Sequence, residues 1–290
     1  MTGLHGGIDA GGTSFKCGVA DAAGRLVATR RVPVSLPEET LEGCTAFFRE
    51  QGPLQSLGIA SFGPVDIDPA SPGYGTILKT PKPGWTGTNL RTAFGEQLGL
   101  SVHLDTDVNG ALRSEMSLGA GKGAASAAYV TIGTGIGAGL FAGGEIVARP
   151  LHPEFGHVPV RRHPDDVSFR SNCPFHEDCL EGLASAAAVA LRHGDPAMLA
   201  EDHPGWEVEA DYLAQACRIL SLTARLERII LGGGLIQAGH LVTRVRDAYA
   251  RQMGGYLDET PADVTRLIVP AGLGQDAGLL GAILLGMRAR

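Results

Sequence analysis

At 290 residues, 44% of them hydrophobic and 19% charged, the chain can bury a sizeable core and exceeds one ordinary domain, which predicts two. A formal net charge of −7 argues against a surface built chiefly to hold nucleic acid or anionic lipid, so small-molecule partners are expected. There is no run of about 18 or more apolar residues, and MTGLHGGIDAGG runs into a strand-like pattern without a charged and apolar leader, so a cytoplasmic protein without a membrane span is expected.

The opening LHGGIDAGGTSFKCGVADAAGRLVATRRVPV reads as strand, glycine turn, strand, Ala-Gly turn, strand, an antiparallel meander. Within it GIDAGGT, Gly7 to Thr13, can turn tightly and aim N–H groups into a concavity suited to phosphate oxygens, with Thr13 and Lys16 as further donors. It is neither GxGxxG nor GxxxxGK[ST], since it runs into a second strand and not a helix; alone, it also reads as a plain β-hairpin.

TLEGCTAFFREQG is predicted helical and LGIASFG a buried strand. SVHLDTD followed by VNGALRSEMSLG repeats the step from strand to helix, and such alternation implies a mainly parallel sheet. Between them SPGYGTILKTPKPGWTGTN, crowded with Gly, Pro and Thr, predicts a long functional loop across a cleft. In HLDTDVNGA the strand gives way to the helix at Asp105 to Asp107, which sets carboxylates at a sheet edge where a phosphoryl acceptor would need a base. Asp is equally a favoured N-cap, so Asp107 can instead serve the first amides of the helix.

Near residue 114 the pattern starts afresh, dividing the chain into 1–113 and 114–290. AAYVTIGTGIGAGLFAGGEIV is a second glycine-turned strand pair, with Thr134 and Gly135 at its turn. Helices are predicted at EGLASAAAVALR and ADYLAQACRILSLTARL, then a strand at RIILGGG and a last helix over about 276–290, expected to pack back on the N-terminal lobe. LGGGL, with Gly233 and Gly234, offers close approach to a helix N-terminus or a flat nucleoside.

Forty-two glycines far exceed the roughly 7% background, and they gather where strands end. Of the five cysteines, Cys17, Cys44 and Cys217 lie in apolar settings and are expected in the core. A reducing cytosol disfavours a disulfide between the other two, Cys173 and Cys179 of CPFHEDC. Cys173, His176 and Cys179 recur at intervals of three, which lets one tight loop converge three ligands on a tetrahedral zinc that needs a fourth.

GIDAGGT, TIGTGIGAG and LGGGL, in this order, resemble the two phosphate elements and the adenosine element of the sugar-kinase and actin superfamily. PEFGH and CPFHEDCLEGLAS narrow the resemblance to the ROK family, and TPKPGW with LDTDVNGA to its bacterial fructokinase branch, over about Gly7 to Gly281. The resemblance implies an α/β, two-lobed ribonuclease H-like (actin-like ATPase) fold with the nucleotide between the lobes. It also implies ATP-dependent phosphorylation of a hexose, D-fructose first, with mannose, glucose or an N-acyl hexosamine as alternative acceptors.

Carried over residue by residue, it makes Asp107 the general base and Asn109, Glu154, His157 and Glu181 sugar ligands. Thr106 stands where other members carry Asn, a departure the fructokinase branch shares. Asp9, Gly11, Gly12, Thr13, Lys16, Thr134, Gly135, Gly233 and Gly234 fall to ATP, with Mg2+ on the phosphates and Asp9 behind one of its waters. His157 completes the zinc set, His152 and His163 being its rivals, and four protein ligands make the Zn2+ structural. A sugar-sensing regulator of the same family is the rival reading; a first strand near Leu4 leaves no room for a helix-turn-helix ahead of it, and the acidic balance favours the enzyme. A homodimer is the assembly the family suggests.

Overall fold

The computed structural model describes residues 3–147 and 151–288. The chain divides into two compact units, one of Met1–Leu118, Ala148–His152 and Gln275–Arg290, the other of Gly119–Val147 and Pro153–Gly274.

The first unit opens with β1 (Leu4–Ala10), β2 (Ser14–Ala20) and β3 (Leu26–Pro33), the predicted antiparallel meander. Helix α1 (Pro37–Glu50) follows, with Pro37 at its first turn and Glu38 and Glu39 against the positive end of its dipole. Its Leu41, Cys44, Phe47 and Phe48 recur at three and four residues, and this face is buried. After β4 (Leu54–Ser61) and the long loop come α2 (Leu90–Leu98), β5 (Val102–Thr106) and α3 (Asp107–Leu118). The sheet runs β3-β2-β1-β4-β5, with β4 parallel to β1 and β5 parallel to β4, so Ile8 stands beside Ile59 and Ile59 beside Leu104.

The second unit builds the same strand order from a later stretch of chain. β6 (Ser126–Ile132), β7 (Ile136–Ala142) and β8 (Glu145–Ile146) are antiparallel neighbours. Helices α4 (Leu180–Ala184), α5 (Ala186–His193) and α6 (Gly205–Ala224) precede β9 (Arg228–Gly232), which joins β6 in parallel. Then come α7 (His240–Met253), α8 (Pro261–Leu267) and β10 (Ile268–Pro270), giving the order β10-β9-β6-β7-β8. Read from β8, this is the order of the first sheet.

The chain closes with α9 (Ala277–Arg288), which the contacts assign to the first unit. It lies on α3 and on β1 and β4 at backbone distance: a Cβ on Gly281 would stand 1.7 Å from the Gly110 carbonyl oxygen, and one on Gly58 would stand 1.9 Å from that of Ala282. Only glycine permits that approach. Leu279 and Ile283 are buried there with Ala20. Among the described residues no helix is long and apolar enough to cross a membrane.

Two sequence expectations change in detail. The helix expected over EGLASAAAVALR is two, because Ser185 adopts an extended backbone and its Oγ accepts the Ala188 N–H at 3.2 Å, capping α5. LGGGL leads into a 3-10 turn at Leu235–Gln237, and α7 begins only at His240.

Candidate active site and metal centre

At the end of β5 and the start of α3 two carboxylates sit two residues apart in different surroundings. Asp105 is fully buried; its Oδ1 accepts the Thr106 N–H at 2.9 Å and the Asn109 side-chain N–H at 2.8 Å, and its Oδ2 faces Arg113 at 3.4 Å. The cap of α3 is Thr106, whose hydroxyl accepts the Asn109 amide at 3.2 Å. Asp107 therefore is not needed as the cap. Among the described residues its carboxylate accepts only local backbone amides, that of Val108 at 2.8 Å, and burial raises its affinity for a proton, with the charge of His152 acting the other way. One turn on, Asn109 is 1% exposed, and among the described residues its Oδ1 has no hydrogen-bond partner.

The hairpin between β1 and β2 carries the other unit-one candidates. Gly11 donates to the carbonyls of Asp9 and Ser14, both at 3.1 Å, which closes the turn and leaves Gly12 and Thr13 exposed. The Asp9 carboxyl is pushed up to about 6, first by burial and then by the charge of Asp107, against Lys16 and Arg31. Lys16 turns toward the start of α9, donating to the Gln275 carbonyl at 3.2 Å and to the Asp276 carboxylate.

In the second unit the hairpin between β6 and β7 repeats the device: the Gly133 N–H donates to the Gly135 carbonyl at 3.0 Å, and Thr134 is exposed at the tip. Beside it lies the end of β9. Gly233 has φ +90°, and a Cβ there would stand 2.4 Å from the Ile132 carbonyl, so Gly233 meets the β6 hairpin through bare backbone, whereas a Cβ on Gly234 would enter open space. Glu181, in the first turn of α4, accepts the Ile136 N–H at 2.9 Å through Oε2, and that oxygen lies 2.6 Å from where a Gly135 Cβ would be. No sequence motif signals this tie between the cysteine loop and the glycine hairpin.

Cys173, His176, Cys179 and His157 bring one ligand atom each to within 4.8 Å of one another. Nδ1 of His157 is 3.9 Å from the Cys173 Sγ and 3.7 Å from the Cys179 Sγ, and Nδ1 of His176 is 3.6 Å from the Cys173 Sγ. Bonds of about 2.3 Å to sulfur and 2.0–2.1 Å to nitrogen at tetrahedral angles give such edges, so two thiols and two imidazoles fit a zinc ion. The rivals fall elsewhere: His163 accepts the Asp165 N–H at 3.2 Å, and His152 bears on Asp107. His157 is placed by a 3-10 turn in which its N–H donates to the Glu154 carbonyl at 3.0 Å, and exposed Glu154 opens that turn. The loop has its own frame: the Ser171 hydroxyl donates to the His176 carbonyl at 2.7 Å and accepts the Cys173 N–H at 3.2 Å. Burial pushes the Cys179 thiol up to about 11, with Cys173 adding to the shift. Cys17, Cys44 and Cys217 are buried, as expected.

Comparison with known proteins adds to this geometry. The model of the ROK family matches residues 5–289. A fructokinase from Zymomonas mobilis is 40% identical over 295 residues, covering 99% of this chain and 97% of its own. One from Pediococcus pentosaceus is 38% identical over 287 residues, covering 99% and 98%. Among solved structures, a ROK family glucokinase from Streptomyces griseus in complex with glucose and AMPPNP superposes with a TM-score of 0.78 at 26% identity, over 99% of this chain and 100% of that one. The two mixed sheets with their helices are the α/β, actin-like ATPase fold that the family resemblance implies.

Proposed function

The chain belongs to the ROK family, and from that premise we propose that it is an ATP-dependent fructokinase of the cytosol, moving the γ-phosphoryl group of ATP to the O6 hydroxyl of D-fructose. The observation that carries this reading is the contrast at the end of β5: Asp105 is taken up by protein partners, whereas Asp107 is desolvated and, among the described residues, holds only local amides. Asp107 accepts the hydroxyl proton as O6 attacks, the O6–phosphorus bond forms, the bond from phosphorus to the bridging oxygen breaks, and ADP leaves with the electron pair. Burial that raises its proton affinity makes it a stronger base than an exposed carboxylate.

Asn109 supports the same reading. A buried acceptor without a partner costs stability unless a ligand supplies the donor, and a sugar hydroxyl is one. His157 directs Nδ1 at the cysteines, which leaves Nε2 for a hydroxyl, and Glu181 keeps Oε1 beside its tie to Ile136. Glu154 is the remaining sugar ligand. Gly12, Thr13, Thr134 and Gly135 hold phosphates through backbone amides, Gly11 closes the first turn beneath them, Lys16 is a flanking cation, and Gly233 and Gly234 approach the adenosine.

Asp9 would hold magnesium through a water, and the ion would supply charge neutralisation at the ATP phosphates; a carboxyl raised by burial and a like charge suits a site that receives a divalent cation. His157, Cys173, His176 and Cys179 would hold a structural zinc, since four protein ligands would leave it no open position.

A screen of fructose, mannose, glucose and N-acetyl hexosamines with ATP and magnesium, following ADP release and identifying the product, tests the reading. Fructose should show the highest kcat/KM and yield fructose 6-phosphate. A higher value for another hexose reassigns the acceptor, and no sugar-dependent ADP release from any of them removes the kinase.

A further inference from the structure

The long loop between β4 and α2 carries a cation that the reading above leaves unused. Lys82 donates from Nζ to the Gly12 carbonyl, at the tip of the β1–β2 hairpin, and Nζ lies 5.4 Å from the centre of the Phe62 ring and 3.4 Å from where a Gly12 Cβ would stand. Lys16, the lysine of the hairpin itself, is turned away onto Asp276.

The placement of Lys82 is built. Three residues on, Trp85 is 1% exposed; its Nε1 donates to the Ser35 carbonyl at 2.9 Å, and its ring packs on Phe15 and Phe62 at 5.3 and 5.9 Å. The Trp85 N–H closes a turn on the Lys82 carbonyl at 3.2 Å, and Pro81 and Pro83 limit the backbone on either side. An ammonium has three donors, and here one is used, on a neutral carbonyl. Among the described residues no carboxylate pairs with Lys82, although it is half-buried. A half-buried positive charge over an aromatic face, beside the exposed Gly12 and Thr13 of the hairpin tip, is arranged for an anion.

We propose that Lys82 is a catalytic residue, its ammonium contacting the oxygens of the γ-phosphoryl group during transfer. This rests on the kinase reading. Lys82 gains and loses no proton: the O6–phosphorus bond forms and the bond to ADP breaks as described, the proton passes to Asp107, and Lys82 stabilises the charge that spreads over the phosphoryl oxygens.

Lys82→Met, which keeps the apolar stem, and Lys82→Arg test it in the full-length protein. The Met variant should lose roughly 10² to 10³ in kcat, the scale for removing one such donor, with little change in the KM for hexose or in Tm. By calorimetry it should bind a non-hydrolysable ATP analogue with magnesium more weakly than the parent does, while ADP affinity holds; Lys82→Arg should recover part of both losses. Parental kcat in Lys82→Met overturns the proposal. So does a variant that keeps kcat at saturation but loses Tm and raises every KM, the mark of a loop pin. If the parent binds the analogue yet phosphorylates no hexose, the function fails separately, and the analogue-to-ADP ratio still decides on Lys82.

Discussion

Asp105 and Asp107 lie on the same strand end, and what surrounds them gives them opposite fates. The carboxyl of Asp107 is raised from its ordinary 3.8 by burial, so the native state binds that proton more tightly than the unfolded chain does. The stability this confers is complete below the ordinary value and is lost as pH rises through the raised one; at neutral pH the ionised carboxylate is a cost to the fold. Asp107→Asn should therefore melt above the parent at pH 7, with the gap closing toward pH 4. It should also lower sugar-dependent turnover by roughly 10² to 10⁴, since Asn cannot take a proton. Removing the charge also relieves Asp9, whose carboxyl Asp107 helps hold near 6, and this acts in the same direction. Melting curves across pH beside ADP release decide it: near-parental turnover would remove Asp107 from the mechanism and make Asp105 the next candidate. The sequence alone set the two carboxylates at the strand end but could not separate base from cap, because Thr106 as the cap shows only in the geometry. Lys82 was out of reach for another reason, being 70 residues from the carbonyl it meets.

At the scale of elements, the cysteine loop and the first turn of α4 are one piece. Cys179 is both a member of the metal set and the cap of α4, its Sγ accepting the Gly182 N–H at 3.4 Å. Serine caps at least as well but is a poor zinc ligand, so Cys179→Ser isolates the metal from the cap. Purified parent should hold about one zinc per chain, and the variant much less. Its Tm should fall, a chelator should lower the parent's Tm to match, and the chelator should leave the variant unmoved. Active parent without zinc by elemental analysis would refute the site. With His157 and Glu181 flanking the loop, the KM for hexose should rise together with the loss of metal. The triplet of ligands was legible because spacing alone brings them together. The break between α4 and α5 was not, since Ser185 in a run of alanines offers no helix breaker, only a side chain able to cap. α7 is a different case: Leu241, Val242, Val245, Ala248, Tyr249 and Met253 recur at helical spacing, in keeping with the helix expected after LGGGL, and only its start at His240 was not legible.

At the scale of the whole chain, the two units have separate cores. Ile8, Phe15, Phe47, Ile59, Trp85 and Leu104 belong to one, and Val130, Leu183, Trp206, Leu213, Ile230 and Tyr249 lie in the other unit. The first core is completed only by the end of the sequence, because α9 supplies the surface against which Gly7, Gly18 and Gly58 lie. Periodicity could announce a last helix, but the closeness of its seat follows from glycines on three different elements. Gly281→Val should break that seat. Its Cβ would meet the Gly110 carbonyl at 1.7 Å, backbone against backbone, with no flexible side chain to yield, so α9 must move off α3. Since α3 carries Asp107 and Asn109, turnover should fall with stability. Hydrogen exchange read strand by strand should show protection lost in β1, β4 and α3 and kept in β6, β9 and α6, and zinc content should stay at the parental level because its four ligands lie in the other unit. Retained protection in β1 and β4 would mean that α9 is not what completes the first core; loss in both sheets together would mean that the two cores unfold as one.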